Sequence, residues 1–177
     1  MEVIFAGFGG QGVLTSGLIT AYLALKNGLE TIWSPAYGGQ MRGGKAYSMV
    51  KFDTKPISEP IVTELDALVV MNQPSLDFRS ELKEGGLLII NSDIVKRDSV
   101  DDSRYRVIWI PANTLAQEAG SLKSANVVTV GAFVRASGAF EKEKAEEILL
   151  KFFEDKGKGA YNQSNLAAFR AGYDAAG

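Results

Sequence analysis

The sequence holds no cysteine and no histidine among its 177 residues. Without cysteine there are no disulfides, no thiolate nucleophile and no thiolate ligands for an iron–sulfur cluster. Without histidine the chain loses the commonest general base and the commonest metal ligand together. No catalytic residue and no metal site is expected. Neither sign of charge is in excess, with 19 Lys and Arg against 21 Asp and Glu and a formal net charge of −2. That balance offers no basic surface for nucleic acid. No apolar run is long enough to cross a bilayer, and Met1-Glu2 lacks the basic flank of a signal peptide. A cytoplasmic protein without membrane contact is the expectation. Internal repeats and low-complexity tracts are missing too, so 1–177 reads as one domain with a sizeable core.

Glycine, by contrast, is concentrated where it can matter. Val3-Ile4-Phe5-Ala6 is an apolar run without alternation, as in a strand buried on both faces. It meets Gly7-Phe8-Gly9-Gly10-Gln11-Gly12, and a helical pattern follows. Leu14, Leu18, Ala21 and Leu25 fall on one face of that helix, with Val13 and Gly17 beside them. Gly7, Gly9 and Gly12 therefore match G-x-G-x-x-G at a strand-to-helix turn. In that pattern Gly7 permits the tight turn, Gly9 lets backbone approach a ligand, and Gly12 lets helix and strand pack closely. Free N–H groups at the helix start would face a phosphate or carboxylate. A dinucleotide site also needs an acid at the end of the second strand. That strand reads Thr31-Ile32-Trp33, and Glu30 stands at its wrong end. A dinucleotide, another anion and a turn that binds nothing stay open on these residues.

A second glycine cluster, Tyr37-Gly38-Gly39-Gln40-Met41-Arg42-Gly43-Gly44, follows the second strand. It is too short for a crossover helix, so the strand at Ala46–Phe52 is expected antiparallel to the second. Further strands are expected at Ala67–Met71, Leu87–Ile90 and Val107–Ile110. Asn72-Gln73-Pro74 opens a helix that Gly85-Gly86 ends, and Lys96 to Arg106 reads as a solvated excursion. Helices are expected from Pro111, over the apolar stretch Ala125–Ala136, over the amphipathic stretch Glu141–Phe153, and after a cap at Asn162. Strands alternating with helices give an α/β, Rossmann-like three-layer sandwich with a mostly parallel sheet and at least one antiparallel strand.

The two glycine stretches together resemble the gamma subunit of 2-oxoacid:ferredoxin oxidoreductases. That family shows a G-x-G-G-Q-G turn and then a Tyr-Gly-x-x-x-Arg-Gly-Gly loop. Ser124-Ala125-Asn126 before Gly131-Ala132, and Asn165-x-x-Ala168-Phe169-x-x-Gly172, fit it as well. The resemblance covers essentially the whole chain. Gly39 and Gln40 depart from the proline or acid that many members carry there, which leaves the substrate subclass open.

The resemblance implies an enzyme that decarboxylates a 2-oxo acid, 2-oxoglutarate in the leading reading, on thiamine diphosphate. Electrons pass through iron–sulfur clusters to ferredoxin, and coenzyme A takes the acyl group. The thiamine and the clusters lie on partner subunits. This chain is the accessory gamma subunit, inactive alone, binding no cofactor by itself, and able to form a homodimer when isolated. Its implied cofactor-facing residues are Gly7, Gly9, Gly10, Gln11, Gly12, Tyr37, Arg42, Gly43 and Gly44. The alternatives are a free-standing Rossmann-like nucleotide-binding module and a purely structural one.

Overall fold

A computed structural model describes residues 1–37, 45–58, 64–100 and 103–177. Six strands form one sheet: β1 (Glu2–Phe8), β2 (Glu30–Tyr37), β3 (Lys45–Asp53), β4 (Leu65–Val70), β5 (Leu82–Asn91) and β6 (Arg106–Ile110). Their spatial order is β2-β3-β1-β4-β5-β6. β1, β4, β5 and β6 pair in parallel, while β3 is antiparallel to both β1 and β2. The mixed sheet expected from the sequence is present. β2 does not touch β1, because β3 is inserted between them.

The helices are α1 (Val13–Lys26), α2 (Ala112–Glu118), α3 (Ala125–Ser137), α4 (Lys142–Asp155) and α5 (Asn162–Ala175). All five pack on one face of the sheet, sharing a core with Val3, Phe5, Ala67, Val69, Leu87 and Ile89. The alternate residues Ile4, Ala6, Leu68, Val70, Leu88 and Ile90 face the other way. That side is covered by short 3₁₀ turns at Gln73–Glu81 and Arg97–Ser99 and the chain around them. The third layer is thus thin. The strands between the two cores are covered on both faces, hence their unbroken apolar runs.

α1 turns a different face inward from the one its leucines suggest. Val13, Ser16, Gly17, Thr20, Leu23 and Ala24 are buried, Leu14 and Leu18 are only partly buried, and Leu25 is 60% exposed. The helix is apolar nearly all round, so the largest side chains do not mark the inner stripe. Small residues win because the sheet lies close: a Cβ on Gly17 would collide with the Ser48 hydroxyl, which accepts a 2.7 Å hydrogen bond from Trp33 Nε1.

Three other expectations change. The segment opened by Asn72 is 3₁₀ and passes straight into β5, so Gly85-Gly86 lie inside a strand instead of ending a helix. Val100 and Tyr105, in the stretch read as solvated, pack against the second core. Asn162 is the first residue of α5 and provides no side-chain cap; its Nδ2 donates to Glu154 at 3.0 Å.

α3 is buried along almost its whole length. It meets α5 backbone to backbone at two glycines: a Cβ on Gly131 would strike the Phe169 carbonyl, and one on Gly172 the Val128 carbonyl. Neither neighbour is a flexible side chain, so an added methyl must separate the helices. Gly172→Ala is expected to cost about 1–3 kcal/mol of stability, read as a lower urea midpoint with unchanged slope.

Two ion pairs join neighbouring elements, Asp66–Lys83 across β4 and β5 and Glu146–Arg170 across α4 and α5. Burial pushes the Asp66 carboxyl up, but the Lys83 ammonium and the Glu2 N–H bound to it hold it below the ordinary value. Arg170 grips Glu146 through two bonds of 2.9 and 2.6 Å and lowers that carboxyl also. Both groups are depressed in the folded state. Their stabilisation is therefore complete above the unfolded carboxylate value and lost as pH falls through the folded one. Stability is expected to decline below roughly pH 4. Glu146→Gln should flatten that acid slope in urea titrations taken at several pH values.

Candidate functional site

The carboxyl ends of β1, β4, β5 and β6 lie along one edge of the sheet. The chain leaves β1 toward β3 and β2, and leaves β4 in the opposite direction, so this edge beside β1 is a switch point where α/β ligands bind. The glycine turn sits there, between Phe8 and Val13.

Its backbone departs from the fingerprint's usual division of labour. The left-handed residues are Gly10 at φ 99° and Gly12 at φ 76°. Gly7 belongs to β1 and serves by lacking a side chain: a Cβ there would come within 2.7 Å of Gln11 Oε1 and 2.9 Å of Val13 Cγ1. Gly12 makes room for Asn126 of α3, whose Cγ a Cβ would approach to 2.8 Å, and not for the strand. Gly9 lies in the turn and lines a hollow of about 230 Å³ with Phe8, Gly10, Thr15 and Ala46. No side chain caps α1, so the first-turn N–H groups keep their capacity for an acceptor.

Gln11 points inward. Its Oε1 accepts from Phe8 N at 2.7 Å and from Asn72 Nδ2 at 3.1 Å, and its Nε2 donates to the Met71 carbonyl at 3.2 Å. The side chain therefore fastens the turn to the end of β4. Asn72 is buried and in turn accepts from Ser75 N and Ser75 Oγ. The end of β5 repeats the device: buried Asn91 donates to Asn113 and accepts from Ala112 N. Asp93 then accepts from Asn113 N and Thr114 N, both at 2.8 Å, capping α2 from outside its own sequence.

The second glycine loop begins at the same level. Tyr37 pairs with Ala46, and Ala46 with Gly7. Although β3 separates β2 from β1, the two glycine stretches leave the sheet at one edge. Arg42, Gly43 and Gly44 lie outside the described residues.

A second hollow of about 370 Å³ flanks the turn on the β4 side, lined by Gly10, Gln11, Met71, Asn113, Leu122 and Lys123. Lys123 and Asn113 were not singled out from the sequence, because nothing local marks their approach to the turn. Among the described residues, no group of three His, Cys, Asp or Glu could hold a metal, and no helix is long and apolar enough to cross a membrane.

A mixed-sheet α/β domain with a glycine turn at its switch point, and with the end of β2 and the start of β3 at the same edge, is the class that this geometry defines. Over residues 2–175 the sequence matches the family described as pyruvate ferredoxin/flavodoxin oxidoreductase, and the chain belongs to it. It is 33% identical to the 2-oxoglutarate synthase subunit KorC of Methanocaldococcus jannaschii, over 99% of this chain and 93% of that one. It is 36% identical to the ketoisovalerate oxidoreductase subunit VorA of Methanothermobacter marburgensis, where 98% of this chain spans only 36% of the relative's length. Among solved structures, the keto/oxoacid ferredoxin oxidoreductase gamma subunit of Geobacter sulfurreducens superposes with a TM-score of 0.83 at 31% identity, covering 99% of this chain and 97% of that one.

Gln11→Leu is expected to strand the Phe8 N–H, the Asn72 amide and the Met71 carbonyl, at a cost of about 1–3 kcal/mol. Gln11→Glu keeps the acceptor and loses the donor, so its loss should be smaller. Chemical denaturation of the two variants beside the parent protein checks the order.

Proposed function

We propose that the chain is the gamma-type accessory subunit of a multi-subunit, cytoplasmic 2-oxoacid:ferredoxin oxidoreductase, with 2-oxoglutarate as its 2-oxo acid. The observation that carries this reading is the end-to-end match to KorC, named as a subunit of 2-oxoglutarate synthase, which this chain covers over 93% of its length. The residue inventory supports it. A chain without cysteine has no thiolates for a cluster, and one without histidine lacks the usual proton carrier. Clusters, thiamine diphosphate and the 2-oxo acid then belong to partner subunits, and ferredoxin meets the complex through them. Alone, the chain forms a homodimer through the faces those partners would cover.

Within such a complex the glycine turn and the Arg42 loop would face coenzyme A. Backbone N–H groups of Gly9, Gly10 and Gly12 and the Arg42 guanidinium are suited to its phosphates, while the Gln11 N–H is taken by the Phe8 carbonyl at 3.1 Å. Gly7 and Gln11 would hold the turn in shape, while Tyr37, Gly43 and Gly44 would set the loop beside it.

Two outcomes test this. The isolated chain should not turn over any 2-oxo acid with thiamine diphosphate, coenzyme A and a viologen acceptor; turnover would refute the accessory role. In a reconstituted complex, Arg42→Ala should raise the KM for coenzyme A roughly ten- to a hundredfold, the loss of one charged hydrogen bond. Decarboxylation without coenzyme A should be unchanged. If both half-reactions fall together, Arg42 holds subunits and not the cofactor.

A further inference from the structure

A further hollow lies on the helical side of the Gly12–Asn126 contact. Its volume is about 380 Å³, within the range of small-molecule sites. Four separate elements build it: Thr15 from α1, Lys123 and Asn126 at the entry to α3, Lys158 and Tyr161 in the α4–α5 link, and Asn165 from α5. Both α3 and α5 start at its wall, presenting their positive ends.

Its floor is polar and buried. Asn126 and Asn165 are each only 6% exposed, and Ser124 between them is 5% exposed. Ser124 Oγ donates to Asn165 Oδ1 at 3.0 Å, and Asn126 Nδ2 makes a long 3.4 Å contact to the Gly12 carbonyl. Asn165 Nδ2 and Asn126 Oδ1 have no protein partner among the described residues. Both atoms open onto the cavity and are not among the buried partnerless atoms, which are Glu2 Oε2 and Asn162 Oδ1 among the described residues; they offer an occupant one donor and one acceptor on the same floor. The rim carries two lysines, and neither Lys123 nor Lys158 has an ion pair among the described residues. No acidic residue lines the cavity, in a chain whose net charge is −2.

We propose that this cavity binds the phosphate of a small phosphate ester, with Lys123, Lys158 and Asn165 Nδ2 as its donors and Asn126 Oδ1 receiving a hydroxyl or amide of the same molecule. Donors arriving from three elements at different angles suit a tetrahedral oxyanion better than a planar carboxylate. An ester can give a sugar hydroxyl to Asn126 Oδ1 while its phosphate meets the lysines, whereas inorganic phosphate must offer its P–OH from the same small group that the lysines bind. The exposed Tyr161 ring, at 63%, stands at the rim to cover what enters. The site does not rest on the assembly described under the proposed function.

Calorimetric titration of the full chain with ribose 5-phosphate, inorganic phosphate and citrate tests it. Ribose 5-phosphate is expected to bind at one site with a dissociation constant of about a millimolar or tighter, more tightly than inorganic phosphate or citrate. Lys123→Gln together with Lys158→Gln should weaken it at least roughly tenfold, as loss of two charge-assisted contacts requires. Both lysines are exposed, so the variant should keep the parent's melting temperature. Citrate binding as tightly as ribose 5-phosphate would overturn the phosphate assignment. Absence of saturation, or equal affinity in the double-lysine variant, would overturn the site.

Discussion

The edge of this protein that faces a ligand or a partner hangs on one carboxamide. Gln11 joins the last residue of β1, the carbonyl that follows β4 and the buried Asn72 within a single side chain. Phe8 and Met71 are far apart in sequence, and the turn is otherwise made of glycine, which has no side chain to hold it. A glycine turn alone would lose much conformational freedom on folding. The carboxamide converts that freedom into one geometry, and the empty position at Gly7 is what lets it lie flat against the strand. The turn's N–H groups are thus presented by a rigid support although the residues that carry them are the least restrained in the chain.

How far the sequence foretold this depends on whether the cause was local. β1, β4 and β6 were legible because strands covered on both faces need unbroken apolar runs. α4 was legible because one of its faces meets water, so Ala145, Ile148, Leu149, Phe152 and Phe153 stand out. α1 failed the same test: it is apolar on several sides, and close approach to Ser48 selected its small residues. The insertion of β3 between β1 and β2 leaves no periodic trace, since pairing partners are a long-range choice. Gly85-Gly86 looked like a stop signal and proved to be strand, because β5 shifts register against β4 there.

The site divides in the same way. The glycines and Gln11 were visible as a motif, but their tasks were not. The motif assigns the tight turn to its first glycine, whereas the left-handed positions are Gly10 and Gly12. The partner of Gly12 is Asn126, 114 residues away. Lys123, Lys158 and Asn165 converge only because α3 and α5 lie side by side, and no spacing in the sequence encodes that convergence. Family resemblance supplied what local physics could not: that the two glycine stretches belong together.

α3 has almost no outer face. Every residue from Ala125 to Val134 is buried, between the sheet, α1 and α5. Its amides can meet deuterated solvent only when the whole molecule opens, so they should be the last to exchange. The start of that helix is also a wall of the polar cavity. One side of the cavity is thereby anchored to the most persistent part of the protein, while the opposite side, the exposed link before α5, belongs to its surface. An occupant would find half of its contacts fixed in advance and would have to order the rest.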